Sequence, residues 1–147
     1  MRIIVQRCDK AEVRVEGKTV GKINYGMMLL VSFTYGDTEK EIDYLVNKVL
    51  NLRIFDDENG VMNKSILDIN GEILSISQFT LYANTSKGNR PSYIDALKGE
   101  DAIKLYDMFN EKLKSKIHTE TGVFGAEMKV DFINDGPITI LLEKENK

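Results

Sequence analysis

The stretch Gly71-Glu72-Ile73-Leu74-Ser75-Ile76-Ser77-Gln78-Phe79-Thr80-Leu81-Tyr82-Ala83 begins as an apolar strand and then becomes polar. Because side chains on a strand alternate with a period of two, Gln78 and Thr80 are expected on one face. Ser77 and Phe79 are then expected on the other face. A buried strand seldom carries this many hydrogen-bonding groups unless neighbouring groups satisfy them. The stretch therefore predicts either polar groups that pair inside the sheet or a strand that lines a functional site.

Short segments on either side of this stretch carry the residue patterns of strands and turns. Alternating or continuous apolar residues predict further strands at 1–8, 11–15, 19–23, 27–33, 53–55, 127–133 and 137–142. Glu16-Gly17-Lys18 predicts a hairpin turn, and Asn134-Asp135-Gly136 predicts another between the last two strands. Most strands that are neighbours in the chain are therefore expected to pair antiparallel.

Two segments carry the pattern of an amphipathic helix. Thr38 and Glu41 have the spacing of a capping box, and the apolar stripe that follows ends near Leu52. A second helix is predicted from about Asp101, with an apolar face that continues to Ile117. Because the strands come mostly as hairpins, we expect an α+β fold with a curved, mostly antiparallel, barrel-like sheet and two main helices against it.

Length and composition indicate one globular domain. The chain has 147 residues, the size of an ordinary domain, so residues 1–147 are expected to form a single one. A net charge of −3 without a basic stripe disfavours a protein that coats long stretches of nucleic acid, although it permits contact with the end of an RNA. The longest apolar run, 27–33, is too short to cross a membrane, and no signal peptide is recognisable. We therefore expect a cytoplasmic protein without membrane association.

The sequence contains one cysteine and one histidine, which limits the chemistry available to it. Cys8 lies in the first predicted strand and is expected to be a small buried apolar residue rather than a catalytic thiol. His118 follows the second predicted helix, and a Ser-His-Asp triad would depend on it alone, which we do not expect. A Cys- or His-rich metal site would lack ligands, so neither a metal nor another cofactor is expected.

Each of the two prolines lies in a polar segment that contains glycine. Glycine before Pro137 permits a cis peptide bond, which would direct two successive carbonyls toward one amine. The alternative is an ordinary hairpin turn in which Pro137 opens an edge strand. Pro91 follows Lys87 and Arg90, which either meet phosphate or belong to a solvated loop.

Two further features have a structural and a functional interpretation. Arg7, in the first strand, is either an edge charge or a brace for a polar loop through its five donors. The segment 121–128 contains small residues together with Phe124 and Met128. Such a segment either walls a pocket or packs against the core.

Two of these motifs resemble the signature motifs of the D-aminoacyl-tRNA deacylase family, of the D-Tyr-tRNA deacylase type. They are Ser77-Gln78-Phe79-Thr80-Leu81 and Asn134-Asp135-Gly136-Pro137-Ile138-Thr139. Supporting matches occur in the family's order and spacing over essentially the whole chain: Gln6-Arg7, Arg53-Ile54-Phe55, Met62-Asn63, Gly88-Asn89-Arg90-Pro91-Ser92-Tyr93, and Thr121-Gly122 with Phe124, Ala126 and Met128. The departures, at Asn89, Tyr93 and Gly125, remove no signature residue.

This resemblance implies a homodimer whose active sites lie at the subunit interface. The Gly136-Pro137 bond would be cis, and Arg7 would brace its loop in the partner's pocket. The loop's carbonyls would hold the α-amino group of the substrate, so that an L side chain collides with rigid backbone while a D side chain points outward. Glycine has no side chain and would also pass, including glycine mischarged on tRNA(Ala).

The reaction that the resemblance implies is hydrolysis of the ester between a D-amino acid and the terminal ribose of tRNA, without a cofactor. The catalytic set would be Ser77, Gln78, Phe79 and Thr80, and the substrate-binding set Arg7, Phe124, Ala126, Met128, Gly136 and Pro137. Thr80 is the family's candidate nucleophile, but its hydroxyl would need an adjacent base. Since the sequence offers none nearby, we favour oxyanion donors on the backbone near Phe79 and Thr80, with help from the RNA's 2′-hydroxyl.

Two other functions are compatible with the same residues. One is a relative of shifted chirality that edits L-Ala on tRNA, for which a trans Gly136-Pro137 bond is expected. The other is a non-enzymatic dimeric module that binds an RNA end or a partner protein. Hydrolysis assays on paired D- and L-aminoacyl-tRNA separate all three.

Overall fold

The computed structural model describes residues 1–146, so Lys147, the last residue of the predicted domain, lies outside the described residues. The described elements are, in chain order, β1 (Arg2–Val15), β2 (Lys18–Ile23), β3 (Gly26–Ser32), α1 (Glu39–Asn51), β4 (Phe55–Asp56), β5 (Met62–Lys64), β6 (Glu72–Ser77), a short 3₁₀ helix (Phe79–Tyr82, hereafter the 3₁₀ turn), α2 (Gly99–Lys114), β7 (Thr119–Thr121) and β8 (Lys129–Glu143). The α+β class, the mostly antiparallel barrel-like sheet and the two main helices are confirmed.

Strand β1 is the centre of the sheet. Strand β8 runs antiparallel along one side of it, while β3 and β2 pair antiparallel with its first and second halves on the other side. Strand β6 then pairs with β3, and β7 with β6, and both of these pairings are parallel. The sheet is nearly closed, because a Cβ added at Gly21 of β2 would lie 2.8 Å from the carbonyl oxygen of Thr121 in β7.

Two apolar clusters fill the two sides of this sheet. The larger lies between the sheet and the helices, where α1 buries its predicted stripe: Ile42, Leu45, Val46, Val49 and Leu50. The smaller lies inside the curved sheet and includes Cys8, which is fully buried as expected. Burial raises the pKa of the Cys8 thiol to about 12, so it stays protonated at neutral pH. Within residues 1–146, no helix has the length and apolar content that crossing a membrane requires.

The predicted capping box of α1 is confirmed. The Thr38 side chain accepts a hydrogen bond from the Lys40 N–H at 3.3 Å, and the Thr38 N–H donates to the Glu41 carboxylate at 2.7 Å. Glu41 is buried, and the pKa of its carboxyl is nevertheless lowered, because hydrogen bonds from Thr38 outweigh the effect of burial. Helix α1 therefore begins where the sequence predicts.

Several strand predictions were wrong in detail. Residues 1–8 and 11–15 form one strand, because β8 accompanies both halves of β1. Asn134-Asp135-Gly136 is not a hairpin turn; it lies inside the continuous strand β8, where the register against β1 shifts as in a bulge. Strands β5 and β7 were not predicted, because three-residue strands are too short to show a period.

Candidate functional site

The polar stretch of the sequence lies where two parallel strands end side by side. Val31 of β3 pairs with Ser77, the last residue of β6. The predicted alternation of faces from Ser77 to Thr80 is wrong, because the chain leaves the strand at Gln78 and enters the 3₁₀ turn. The Gln78 N–H still donates to the Val31 carbonyl at 2.8 Å, which ties the exit of β6 to β3.

A cavity of about 270 Å³ opens at this edge of the sheet. Six predicted site residues line it: Ser77, Gln78, Phe79, Phe124, Ala126 and Met128. The rest of its lining is Val31, Ser32, Phe33, Ile76, Leu97, Ala102, Gly125 and Val130, so the lining within residues 1–146 contains no ionisable side chain. The structure therefore brings the polar stretch and the predicted wall segment together around one neutral cavity.

Thr80 lies next to this cavity but outside its lining. The Gln78 side-chain amide donates to the Thr80 hydroxyl oxygen at 2.6 Å. Since no acid, imidazole or amine lines the cavity in the described part of the chain, the hydroxyl has no general base there. The backbone N–H groups of Phe79 and Thr80, in contrast, have no hydrogen-bond acceptor among residues 1–146 and remain available to an anionic oxygen.

Aromatic side chains shape the wall and the mouth of the cavity. Phe124 packs against Tyr106 of α2 with ring centroids 5.8 Å apart. The Tyr106 hydroxyl donates to the Ser75 carbonyl of β6 at 2.7 Å, and burial raises the pKa of this tyrosine. At the mouth, Phe79 is 45% exposed and meets Tyr93 edge-on with centroids 5.0 Å apart. Tyr106 of α2 thus connects Phe124, which lines the cavity, to strand β6, which ends at the cavity.

The structure places Gly136 and Pro137 away from this cavity. Their peptide bond is cis, as the resemblance implies, and both residues are exposed on β8. Neither lines the cavity formed by the same chain. Asn134 closes the segment locally, since its side-chain oxygen accepts the Ile138 N–H at 3.1 Å and its amide donates to the Thr139 hydroxyl at 3.1 Å.

Arg7 lies beside this segment and is 6% exposed. Its Nη1 donates to the Ile54 carbonyl at 2.8 Å and lies 3.5 Å from the Asp56 carboxylate. Its Nε lies 3.1 Å from the Asp135 carboxylate, an ion pair rather than a well-directed hydrogen bond. The Tyr25 hydroxyl also donates to Asp135, at 3.1 Å, and burial together with this bond raises the pKa of Tyr25 to about 12. Arg7 thus contacts the segment that it is predicted to brace, and its role as a brace stays a prediction.

Other candidates from the sequence lie apart from the cavity lining. His118 is exposed and lies 3.2 Å from the Glu120 carboxylate. Lys87 and Arg90 are exposed in the loop before α2. Sequence reasoning missed the wall residues from β3 and α2, such as Ser32 and Ala102. Parallel pairing of β3 with β6 was the signal that would have indicated Ser32, because the ends of parallel neighbours meet at one edge.

Comparisons with known proteins give a consistent result. Residues 4–143 match the family model described as D-Tyr-tRNA(Tyr) deacylase. Over 146 residues the chain is 52% identical to a protein of Bacillus cereus (strain B4264) named D-aminoacyl-tRNA deacylase, an alignment that covers 99% of this chain and 100% of the relative. The protein of the same name from Bacillus thuringiensis (strain Al Hakam) is 51% identical with the same coverage.

Solved structures share the same fold. One described as "c-Myc DNA Unwinding Element Binding Protein" has a TM-score of 0.94 at 41% identity and covers 99% of this chain and 100% of that one. Another, described as "Structural Analysis of a probable eukaryotic D-amino acid tRNA deacylase", has a TM-score of 0.82 at 18% identity and covers 96% and 97%. At 18% identity, the second likeness shows the fold alone.

Proposed function

Since the chain belongs to the D-Tyr-tRNA(Tyr) deacylase family, an enzyme family of hydrolases, we propose that it hydrolyses the ester bond of D-aminoacyl-tRNA and releases the free D-amino acid. The observation that carries this proposal is the neutral cavity at the end of β6 together with the unpaired backbone N–H groups of Phe79, which lines the cavity, and of Thr80, which lies next to it. An aminoacyl ester is already activated, so stabilisation of its developing oxyanion suffices without a strong nucleophile.

In the proposed mechanism, water adds to the ester carbonyl and the N–H groups of Phe79 and Thr80 bind the resulting oxyanion. The vicinal 2′-hydroxyl of the RNA orients the water before this attack. The tetrahedral intermediate then expels the ribose oxygen, which takes up the proton that the attacking water releases. Thr80 positions rather than attacks, which its hydrogen bond from Gln78 and its lack of a base support. Accordingly, Thr80→Ala keeps most of the activity, while a substrate that ends in 2′-deoxyadenosine loses most of it; the reverse pattern would make Thr80 the nucleophile.

Chiral selection, in this proposal, comes from the backbone of Gly136 and Pro137. Their carbonyls bind the substrate's α-ammonium group, and an L side chain collides with them while a D side chain does not. Three contacts keep this backbone rigid: Arg7 and Tyr25 both hold Asp135, and Asn134 holds Ile138. Because rejection depends on the presence of an L side chain, glycyl-tRNA(Ala) is also hydrolysed.

The second subunit of a homodimer supplies this loop to the cavity. The support is geometrical, since Gly136 and Pro137 are exposed on β8, outside the lining formed by their own chain. Strand β8 is also long, and its Ile133 and Leu141 are 49% and 50% exposed, which a strand at the surface of a monomer seldom tolerates. Because the proposed substrates are aminoacylated tRNAs, we expect the protein to act in the cytoplasm.

Paired hydrolysis assays on D-Tyr-tRNA, L-Tyr-tRNA and glycyl-tRNA(Ala) test the activity. Release from the D and glycyl substrates with the L substrate intact supports the proposal, whereas equal rates on D and L, or none on D, contradict it. Duplex DNA is included as a competitor, because one structural neighbour is described as binding a DNA element. DNA binding without hydrolysis would favour a binding module.

A complementation experiment tests the shared site. Ala126→Trp fills the cavity, and Gly136→Ala distorts the loop. If each loop serves the partner's cavity, a mixed dimer of the two variants retains one intact site and recovers activity that neither variant has alone. Full dimer mixing without recovery would show that each loop serves its own chain.

A further inference from the structure

We propose that Arg2 is a positioning residue for this reaction, an inference that rests on the proposed function. Its Nη1 donates to the Leu81 carbonyl at 2.8 Å, and its guanidinium lies 4.3 Å from the centre of the Tyr82 ring. Leu81 and Tyr82 are the last two residues of the 3₁₀ turn, and Phe79 and Thr80 are its first two. One side chain from β1 therefore holds the end of the segment that presents the proposed oxyanion donors.

Arg2 contacts the far end of this turn from a distant strand, in addition to main-chain bonds there: the Ala83 N–H donates to the Thr80 carbonyl at 3.0 Å, and Asn84 pairs with Ser92. Within the turn, the Leu81 N–H donates to the Gln78 carbonyl at 3.2 Å. From β3, the Val31 carbonyl accepts from the Gln78 N–H, directly before the turn, at 2.8 Å. The Ser32 hydroxyl donates to the Phe79 carbonyl over a longer distance, 3.4 Å. Isolated 3₁₀ turns have poor hydrogen-bond geometry, and each bond joins residues three apart. A displacement at Leu81 is therefore passed to the peptide groups of Phe79 and Thr80.

A simpler interpretation is that Arg2 acts only as a surface charge, and Arg14 provides the matched control. Both arginines lie on β1, and their side chains are 31% and 34% exposed. Each pairs with a carboxylate of β8: Arg2 with Glu143 at 3.3 Å, and Arg14 with Asp131 at 3.1 Å. Arg14 also pairs with Glu12 of its own strand. Replacement by glutamine removes the same charge and an ion pair with β8 from both, and from Arg14 the pair with Glu12 as well, but of the two arginines only Arg2 contacts the turn.

The experiment compares Arg2→Gln, Arg2→Lys and Arg14→Gln in steady-state hydrolysis of D-Tyr-tRNA and in hydrogen exchange of the segment 78–83. We expect Arg2→Gln to lower kcat about tenfold, less than loss of an oxyanion donor itself, with KM changed less than about twofold. Arg2→Lys recovers part of kcat, because an ammonium can donate to Leu81 but lacks the planar fork that stacks on Tyr82. Amide exchange at Leu81 and Ala83, whose N–H groups donate to the carbonyls of Gln78 and Thr80, accelerates in Arg2→Gln and stays at the wild-type rate in Arg14→Gln.

Two results would overturn the inference. The first is a higher KM with unchanged kcat, shared by Arg2→Gln and Arg14→Gln, which is the signature of lost electrostatic attraction to tRNA. The second is unchanged amide exchange at Leu81 and Ala83 in Arg2→Gln. Exchange is measured on the folded protein without substrate, so it decides whether Arg2 holds the turn even where the wild-type protein hydrolyses none of the substrates. Inactivity of the wild-type protein, in contrast, contradicts the proposed function.

Discussion

Replacement of Gly136 by alanine should remove hydrolytic activity while leaving the protein folded. Gly136 has a φ of +122°, a conformation that residues with a side chain rarely adopt. A Cβ there would lie 2.8 Å from Ile138 Cγ1 and 3.1 Å from the Ile138 backbone nitrogen, so part of the obstacle is main chain that cannot rotate away. The backbone strain alone is about 1–3 kcal/mol.

This strain should displace the loop rather than unfold the domain, because Gly136 is exposed on β8 and lies outside both apolar clusters. We expect a loss of unfolding free energy of about 1–3 kcal/mol, which lowers Tm by roughly 2–10 °C in a chain of this size. A displacement near 1 Å at a group that positions substrate lowers kcat/KM on the order of 100-fold.

The assay measures kcat/KM on D-Tyr-tRNA and thermal unfolding for Gly136→Ala and for Gly60→Ala. Gly60, between β4 and β5, also has a positive φ, +75°, but an added Cβ there meets no heavy atom within 4 Å. It does not line the cavity, so Gly60→Ala should lower stability slightly and leave the activity unchanged. A folded Gly136→Ala protein with more than half of the wild-type activity would refute the reasoning, as would an equal loss in Gly60→Ala.

Three further substitutions test single contacts. The pKa of Tyr25 is raised to about 12, so the protonated hydroxyl contributes its full stabilisation below pH 10 and loses it as the pH rises toward 12. The difference in unfolding free energy between wild type and Tyr25→Phe should therefore shrink from pH 10 to pH 12, and a constant difference would contradict this. Thr38→Ala removes the cap of α1 and should lower the unfolding free energy in urea by about 1 kcal/mol without changing kcat. Tyr82→Phe removes a buried hydroxyl that has no partner within residues 1–146, so its urea midpoint should stay equal or rise; a loss above about 1 kcal/mol would reveal a partner.

The helices and most strands could be predicted because their signals are local. The capping box at Thr38 and the apolar stripe behind it specify α1 within a few residues of sequence. The buried run 27–33 likewise indicates a central strand, and β3 is covered on both faces. These signals need no knowledge of what lies across the sheet.

The features that place the site could not be predicted, because they depend on distant contacts. Nothing in the sequence near Gln78 marks the end of β6, since no glycine or proline is present there. The 3₁₀ turn is held by Val31, Ser32 and Arg2, which are all more than 40 residues away in the chain. For the same reason the composition of Asn134-Asp135-Gly136 predicts a hairpin turn, whereas β1 pairs with β8 on both sides of the segment, Cys8 with Asn134 and Gln6 with Thr139, so that the segment bulges out of a continuous strand.

In a site of this kind, backbone groups rather than side chains perform the proposed catalytic roles. Within residues 1–146 the cavity lining contains no ionisable side chain, while the proposed oxyanion donors and the proposed ammonium acceptors are all peptide groups. Peptide groups are not removed by mutation, so activity should depend most on the residues that orient them. Arg2 holds one of the two segments and Arg7 holds the other, each from the same central strand β1. We therefore expect the rigidity of β1, which is paired on both sides, to keep the oxyanion donors of one subunit aligned with the ammonium acceptors of the other in the proposed dimer.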